Sequence, residues 1–308
     1  MFDFCVKRTT RLPRPGLLPG AYARCPRPDD DGPRPRRQAG RMGITTPSTH
    51  PPARPSAGPA PARGPRPAER LCHATGVLLV LSGLAHLVVF AVDGGPWDGP
   101  VSWRKPVTFG LSFGVTLIAV TWVTSYVRIG ARPRAALLTV LAADCVVEVG
   151  GITLQAWRRV PSHLNTETPF DTAVSMTLAV GGGILVVLLT VFAVASFRHP
   201  PTGPAGMPLA VRSGFAVLLV ALASGAAMIA RGVVLTRTGH QEAAYHSTAP
   251  LKPLHGVSLH AVLVLPALAR LLSRTSWSEA VRRRIVAAGV GCYAAAVAGA
   301  GVWAVLTY

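Results

Sequence analysis

The sequence is poor in charged residues. Only 14% of its 308 residues are Asp, Glu, Lys or Arg, whereas 50% are hydrophobic and the mean hydropathy is +0.39. Soluble domains carry about 25% charged residues on average. The scarcity of charge argues against an ordinary soluble domain of this length and predicts a membrane protein.

Acidic residues are scarcer than basic ones, with 13 Asp and Glu against 31 Lys and Arg and a net charge of +18. Such a charge alone would indicate a nucleic-acid-binding protein. The position of the charge excludes this interpretation, because 14 of the basic residues and 15 of the 28 prolines lie in residues 1–70. The rest of the chain alternates apolar runs with short basic loops. We therefore expect no nucleic-acid partner.

Cysteine pairs with metal-ligand spacing are absent. No Cys-x-x-Cys occurs, which argues against a disulfide framework and a thiolate zinc site, and no Cys-x-x-Cys-His motif for covalent haem attachment is present. Any haem would be bound without a covalent link. The five cysteines are Cys5, Cys25, Cys72, Cys145 and Cys292.

Residues 1–70 lack apolar periodicity, and their repeated prolines would break any helix. We predict a disordered, Pro/Arg-rich cytoplasmic tail over residues 1–70. This segment also lacks the continuous apolar core and cleavage site of a secretory signal, so we expect the first spanning helix to direct insertion. Met42 is an alternative initiator to Met1.

Seven apolar stretches have the length of about 20 residues that a membrane span needs. The predicted fold is therefore all-α, a polytopic bundle of seven transmembrane helices over residues 71–308 with the lipid bilayer as its partner. The predicted spans are residues 71–92, 106–127, 135–157, 172–197, 209–232, 255–273 and 284–307.

The orientation follows from the Lys and Arg residues on the two sides of the membrane, because cytoplasmic loops carry the excess. With the N-terminus inside, 24 lie on the inner side and 7 on the outer side; without the tail the counts are 10 and 7. We predict that the N-terminus is inside and the C-terminus outside.

Two carboxylic acids lie on one face of the third span, since Asp144 and Glu148 are four residues apart. An ionised carboxylate at the bilayer centre costs about 2.5 to 3.5 kcal/mol, so it persists only if paired, protonated, metal-bound or facing water. We assign Asp144 and Glu148 as candidate catalytic or proton-transferring residues. A structural ion pair or interhelical hydrogen bond, for instance with Arg104 or Arg231, is the alternative.

Residues 155–171, which join the third and fourth spans, are rich in hydrogen-bonding side chains and contain a titratable imidazole. They predict a binding site near the outer face. A turn at residues 162–165 and a helix cap at Thr168 or Asp171 are alternative roles. The candidate substrate-binding residues are Arg104, Gln155, Arg158, Ser162, Asn165, Asp171 and Arg231.

Three histidines from separate elements, His86, His163 and His260, are predicted at similar depth. Imidazoles from facing helices are typical haem or metal ligands, so these three are the candidate ligands of a haem or a divalent metal ion. His255 lies about 140 degrees around the helix from His260, so both could bind one metal only if His255 lay in the preceding loop.

Three stretches also resemble a family of uncharacterised bacterial multi-pass inner-membrane proteins. The stretches are Trp103-Arg104-Lys105-Pro106 with Phe109-Gly110, residues 148–171, and His255-Gly256 with His260, Leu265 and Pro266. The most specific family pattern is Gln-x-x-Arg-Gly-x-x-Ser-His-Phe-Asn, from which this chain departs at Arg159 and Leu164; the spacing of its last two histidines also differs. The resemblance covers about residues 71–275. It implies multi-pass topology, the bacterial cytoplasmic membrane and the position of the site, but no activity.

Four functions fit these residues. A haem- or metal-binding protein is the first interpretation, and a zinc-dependent membrane hydrolase is the second, because Ser82 and His86 match the Ser-x-x-x-His of seven-helix hydrolases of the ceramidase superfamily. A proton-coupled carrier of a small anion is the third, with the lack of a detectable internal repeat against it. A non-catalytic scaffold is the fourth. The substrate and the oligomeric state stay open.

Overall fold

The computed structural model of the protein describes residues 66–307. The predicted tail lies outside the described residues up to position 65. Helix α1 begins at Pro67, so the last residues of the segment predicted as tail form its first turn.

Residues 66–307 form helices joined by loops, with no strand, and seven of the helices are long and apolar enough to cross a membrane. This confirms the predicted all-α bundle of seven spans and fits an integral membrane protein. The helices are α1 (Pro67–Asp93), α2 (Arg104–Val123), α3 (Ala131–Trp157), α4 (Pro169–Arg198), α5 (Met207–Arg237), α6 (Gln241–His246), α7 (Lys252–Leu272) and α8 (Glu279–Leu306).

The helix ends follow local sequence signals. Helices α1, α4, α5 and α7 each carry a proline in their first turn, where its missing N–H is not needed. The sixth span begins at Lys252, three residues before its predicted start, and the loop that precedes it contains the short helix α6.

Glycines bring α1 and α2 into backbone contact. A Cβ atom placed on Gly110 would lie 2.8 Å from the Cα of Gly83, and one on Gly83 would lie 2.9 Å from the carbonyl oxygen of Val107. Such close approach supplies the van der Waals contact that holds helices together in lipid. Gly110 and Gly83 therefore have a packing role in the structure.

The spans form two groups of three. Helices α1, α2 and α3 pack against one another, as do α5, α7 and α8; α4 contacts α3 and α5, and α2 contacts α7. Each of the helices α2, α3, α4, α5 and α7 thus contacts the next, and α7 contacts α2, so that the five form a ring.

A buried arginine ties the first group together at the end where α3 begins. Arg134 is 5% exposed, forms an ion pair with Glu69 of α1, and donates to the carbonyl oxygen of Thr121 at 2.7 Å and to Oγ1 of Thr124 at 3.3 Å. This role could not be predicted from the sequence, in which Arg134 is one of three basic residues between the second and third predicted spans.

Candidate functional site

A cavity of about 880 Å³ lies at the end of the bundle where α1 ends and α2 begins, which we call the site end. Residues of α2, α3, α4, α5, α6 and α7 line it. Most of the wall is apolar, with Phe109, Phe113, Leu178, Leu222 and Ile229 among the lining residues. An apolar cavity with a few polar groups is the usual form of a small-molecule site.

Three cations line the cavity at the site end, which we call its mouth. Arg104 and Lys105 begin α2, Lys252 begins α7, and the three are close enough to interact electrostatically. Arg104 forms an ion pair of 3.1 Å with Asp98, whose side chain is 84% exposed. Within residues 66–307, no ion pair involves Lys105 or Lys252. The mouth therefore carries excess positive charge.

Glu148 also lines the cavity, about 14 Å along α3 from the site end by helical rise. It is 3% exposed and Asp144, one turn further along the helix, is 6% exposed. Both face Gly181 of α4, where a Cβ atom would collide with Oε1 of Glu148. Neither Oε1 of Glu148 nor Oδ2 of Asp144 has a hydrogen-bond partner among the described residues.

Several of the predicted substrate-binding residues bind one another. Asp171 is 2% exposed and accepts hydrogen bonds from Nε2 of Gln155 at 2.9 Å and from Oγ1 of Thr168 at 2.5 Å, and it forms an ion pair with Arg158. The guanidinium of Arg158 also lies 4.6 Å from the centre of the Phe170 ring. This network joins α3 to the first turn of α4 and does not line the cavity. The alternative role of Thr168 as a helix cap is also seen.

Asn165 is a turn residue in the structure. Its Nδ2 donates to the carbonyl oxygen of Pro161 at 3.3 Å, and its Oδ1 accepts from the backbone N–H of Glu167 at 3.0 Å. Ser162 is buried, and its Oγ lies 2.9 Å from Nδ1 of His163. Arg231, the remaining predicted binding residue, follows Ala230, which lines the cavity on α5.

The loop between α3 and α4 has two residues with left-handed backbone. Arg159 has φ 58° and Leu164 has φ 60°, a region that residues with a Cβ atom seldom adopt. Arg159 occupies the position at which the resemblance implies glycine, and it forms an ion pair of 2.8 Å with Asp93. The side chain of Leu164 reaches Gly232 of α5 and lines the cavity.

The three predicted metal-binding histidines occupy different surroundings. Nδ1 of His86 donates to the carbonyl oxygen of Ser82 at 2.7 Å, and Nε2 accepts from Nε1 of Trp157 at 3.1 Å, so a metal ion would have to replace one of these bonds. His260 is exposed on α7, and only His163 lines the cavity. Residues 66–307 hold no group of three or more His, Cys, Asp or Glu placed to bind one metal ion. The predicted three-histidine grouping is not found there.

His255, which the sequence did not single out as a ligand, lines the cavity on α7. Its Nδ1 lies 2.9 Å from the carbonyl oxygen of Ala221. Because a carbonyl oxygen only accepts, Nδ1 carries the proton and Nε2 keeps its lone pair. The cavity wall includes three histidines, His163, His246 and His255, and the Nδ1 atoms of His163 and His255 are held by the protein.

We expect His163 to make stability depend on pH. Burial, and to a lesser degree the Lys105 ammonium, lower the pKa of His163 from 6.5 to about 4. Between pH 6.5 and pH 4 the unfolded chain therefore binds a proton that the folded protein does not. Stability falls as the pH falls through this window, by at most about 1.4 kcal/mol per pH unit, and His163 causes no further pH dependence below pH 4.

Thermal unfolding in detergent at pH 7 and pH 5 measures this effect. His163→Gln is expected to lose less stability than the wild type between the two pH values. His199→Gln, which changes an exposed histidine, serves as the control and should follow the wild type. Equal pH dependence of the wild type and His163→Gln would contradict the prediction.

Comparison of the chain with family models, curated proteins and solved structures finds no match. The resemblance to a bacterial membrane-protein family accordingly stays a prediction. The function must be inferred from the cavity, its walls and its charges.

Proposed function

We propose that the protein binds an anionic, amphipathic small molecule in this cavity, with the anionic group at Lys105 and Lys252. One observation carries the proposal: a largely apolar cavity is lined at the site end by two lysines that form no ion pair within the described part of the chain. Apolar walls favour a hydrocarbon or ring system, and the lysines favour a carboxylate, sulfonate or phosphate.

The size and electrostatics of the cavity support this ligand class. Its volume of about 880 Å³ lies within the range of small-molecule sites. The three cations at the mouth repel one another in an environment of lower dielectric than water. A bound anion relieves that repulsion, whereas a neutral ligand of the same shape does not. We therefore expect selectivity for negative charge.

The site end is proposed to face outward from the cytoplasmic membrane of a bacterium. The excess of Lys and Arg in the tail and in the loops of the opposite end supports this orientation under the positive-inside rule. In this orientation the protein takes its ligand from the outer side or from the outer leaflet.

The proposal is tested with two fluorescent probes of similar ring structure. 1-Anilinonaphthalene-8-sulfonate (ANS) is an amphipathic anion, and N-phenyl-1-naphthylamine is its neutral counterpart. We expect the protein in phosphatidylcholine nanodiscs to bind ANS more tightly than the neutral probe, after subtraction of empty nanodiscs. Lys105→Gln and Lys252→Gln should each weaken ANS binding about tenfold, since a hydrogen bond to a charged group contributes about 1.5 to 3 kcal/mol.

Each lysine variant carries an internal control, because its affinity for the neutral probe should stay within twofold of the wild type. Arg237→Gln, a charge removed from an exposed residue at the C-terminal end of α5, should leave both affinities unchanged. Equal affinity of the wild type for the two probes would overturn the proposal, as would equal losses for both probes in the lysine variants.

Haem is a second candidate ligand, favoured by His163 and His255, two of the three histidines on the cavity wall. It has an apolar macrocycle and two anionic propionates, and Nε2 of His255 keeps a lone pair that could ligate iron. The candidate ligands are thus His163 and His255, in place of the predicted His86 and His260. A metal other than haem iron, and a zinc-dependent reaction, have no comparable support from the cavity.

Titration of the purified protein with hemin, followed by absorbance, tests this candidate. A stoichiometric Soret band that is lost in His163→Ala and in His255→Ala would support haem. His260→Ala is the matched control, since His260 is exposed on α7 and should not affect binding. Hemin binding that is unchanged in all three variants would exclude these ligands.

A further inference from the structure

The two groups of three helices have the same order and direction. In each group the first helix, α1 or α5, runs toward the site end, the second, α2 or α7, runs back, and the third, α3 or α8, runs toward the site end again. Within each group all three helices contact one another, and α4 joins the groups. Although no repeat is detectable in the sequence alone, this arrangement is that of a parallel internal repeat.

The second helices begin alike. Helix α2 begins with Lys105 and Pro106 in its first turn, and α7 begins with Lys252 and Pro253. Both lysines lie at the mouth of the same cavity, one contributed by each group.

Glycines of each first helix contact equivalent points of the second helix. A Cβ atom on Gly76 would lie 2.9 Å from the carbonyl oxygen of Gly114, and one on Gly214 would lie 3.1 Å from that of Ala261. Gly114 is nine residues after Lys105 (105 to 114), and Ala261 is nine residues after Lys252 (252 to 261). The same register of contact thus recurs in the two groups.

We propose that the two groups are an internal repeat, that the repeat-related Lys105 and Lys252 hold one anionic group between them, and that the protein is a carrier whose two groups move about this site. The proposal rests on the proposed function, because it uses the same anion. Its physical basis is differential affinity: an anion that contacts both lysines favours the arrangement in which the groups approach at the site end. If each group of helices moves as a rigid body about the cavity, narrowing of the mouth makes the two groups separate at the opposite end of the bundle.

Spin-label distances measured by double electron–electron resonance test this motion. One label pair, Val92→Cys with Val234→Cys, reports the site end, and a second, Arg128→Cys with Leu271→Cys, reports the opposite end; all four residues are exposed. The background replaces Cys5, Cys25 and Cys292 with serine, whereas the buried Cys72 and Cys145 are kept. Saturating ANS is expected to shorten the first distance and lengthen the second by more than about 2 Å.

The lysine variants complete the test. Lys105→Gln and Lys252→Gln should weaken ANS binding by factors that agree within threefold, and each should abolish the distance changes at saturating ANS. ANS binding with neither distance changed would overturn the carrier proposal and leave the binding function standing. If the two substitutions weakened ANS binding by factors that differ more than tenfold, the shared role of the two lysines would be overturned. If the wild type bound ANS no more tightly than the neutral probe, both the proposed function and the carrier proposal would be overturned.

Discussion

Gly110→Leu is expected to destabilise the protein more than any other single change considered. A side chain at this position meets the backbone of Gly83 at 2.8 Å, and a backbone contact cannot be relieved by a change of rotamer. Helix α1 would have to move away from α2 and lose their close packing. We expect a loss of about 3 kcal/mol, measured as a lower unfolding temperature by tryptophan fluorescence in detergent.

Gly150→Leu is the matched control for this substitution. Gly150 is also inside a spanning helix, but it is exposed and a Cβ atom there meets nothing within 4 Å. Its unfolding temperature should stay close to that of the wild type. If Gly110→Leu and Gly150→Leu had the same unfolding temperature, this result would contradict a close contact between α1 and α2 at Gly110.

Asp171→Ala is expected to give the second largest loss, an unfolding temperature lower by roughly 5 to 10 °C. The substitution leaves the fully buried amide of Gln155 and the guanidinium of Arg158 without their shared acceptor. This loss is costly for the buried Gln155 amide, because it has given up its contacts with water, whereas Arg158 is exposed and can bind water instead. Loss of the N-terminal contact between Asp171 and Thr168 also weakens the first turn of α4.

The same variant distinguishes a structural role of Asp171 from the substrate-binding role predicted by the sequence. The protein that remains folded at low temperature should bind ANS with the affinity of the wild type, because Asp171 does not line the cavity. Glu167→Ala, which removes a nearby exposed acid, should alter neither property. A stable Asp171→Ala protein with impaired ANS binding would favour the predicted role.

The spans could be predicted from the sequence because their composition decides them. Runs of about 20 apolar residues leave few alternatives to a spanning helix, and prolines mark several helix starts. The spacing of Asp144 and Glu148 also placed both acids on one face, and in the structure both approach Gly181.

The site was predicted only in part because depth along a helix does not give rotation about its axis. His86 and His163 were expected at similar depth, yet His86 bonds to Trp157 while His163 lines the cavity. Which polar groups bond to each other is a tertiary property, so the hydrogen bond between Gln155 and Asp171 could not be predicted from the sequence. The positions of Lys252 and His255 on the cavity wall could not be predicted either, because they depend on the packing of α7 against α2 and α5.

The most direct test of the central claim fills the cavity without disturbing the fold. Gly182 lines the cavity on α4, and a Cβ atom there meets nothing within 4 Å, so Gly182→Phe should place its ring in the ligand space. Gly150→Phe is the control, because a Cβ atom on Gly150 also meets nothing within 4 Å and Gly150 does not line the cavity. The ANS affinity of both variants in nanodiscs is the measurement. We predict that Gly182→Phe loses ANS binding at an unchanged unfolding temperature while Gly150→Phe keeps it; a Gly182→Phe protein that binds ANS like the wild type would contradict a ligand in this cavity.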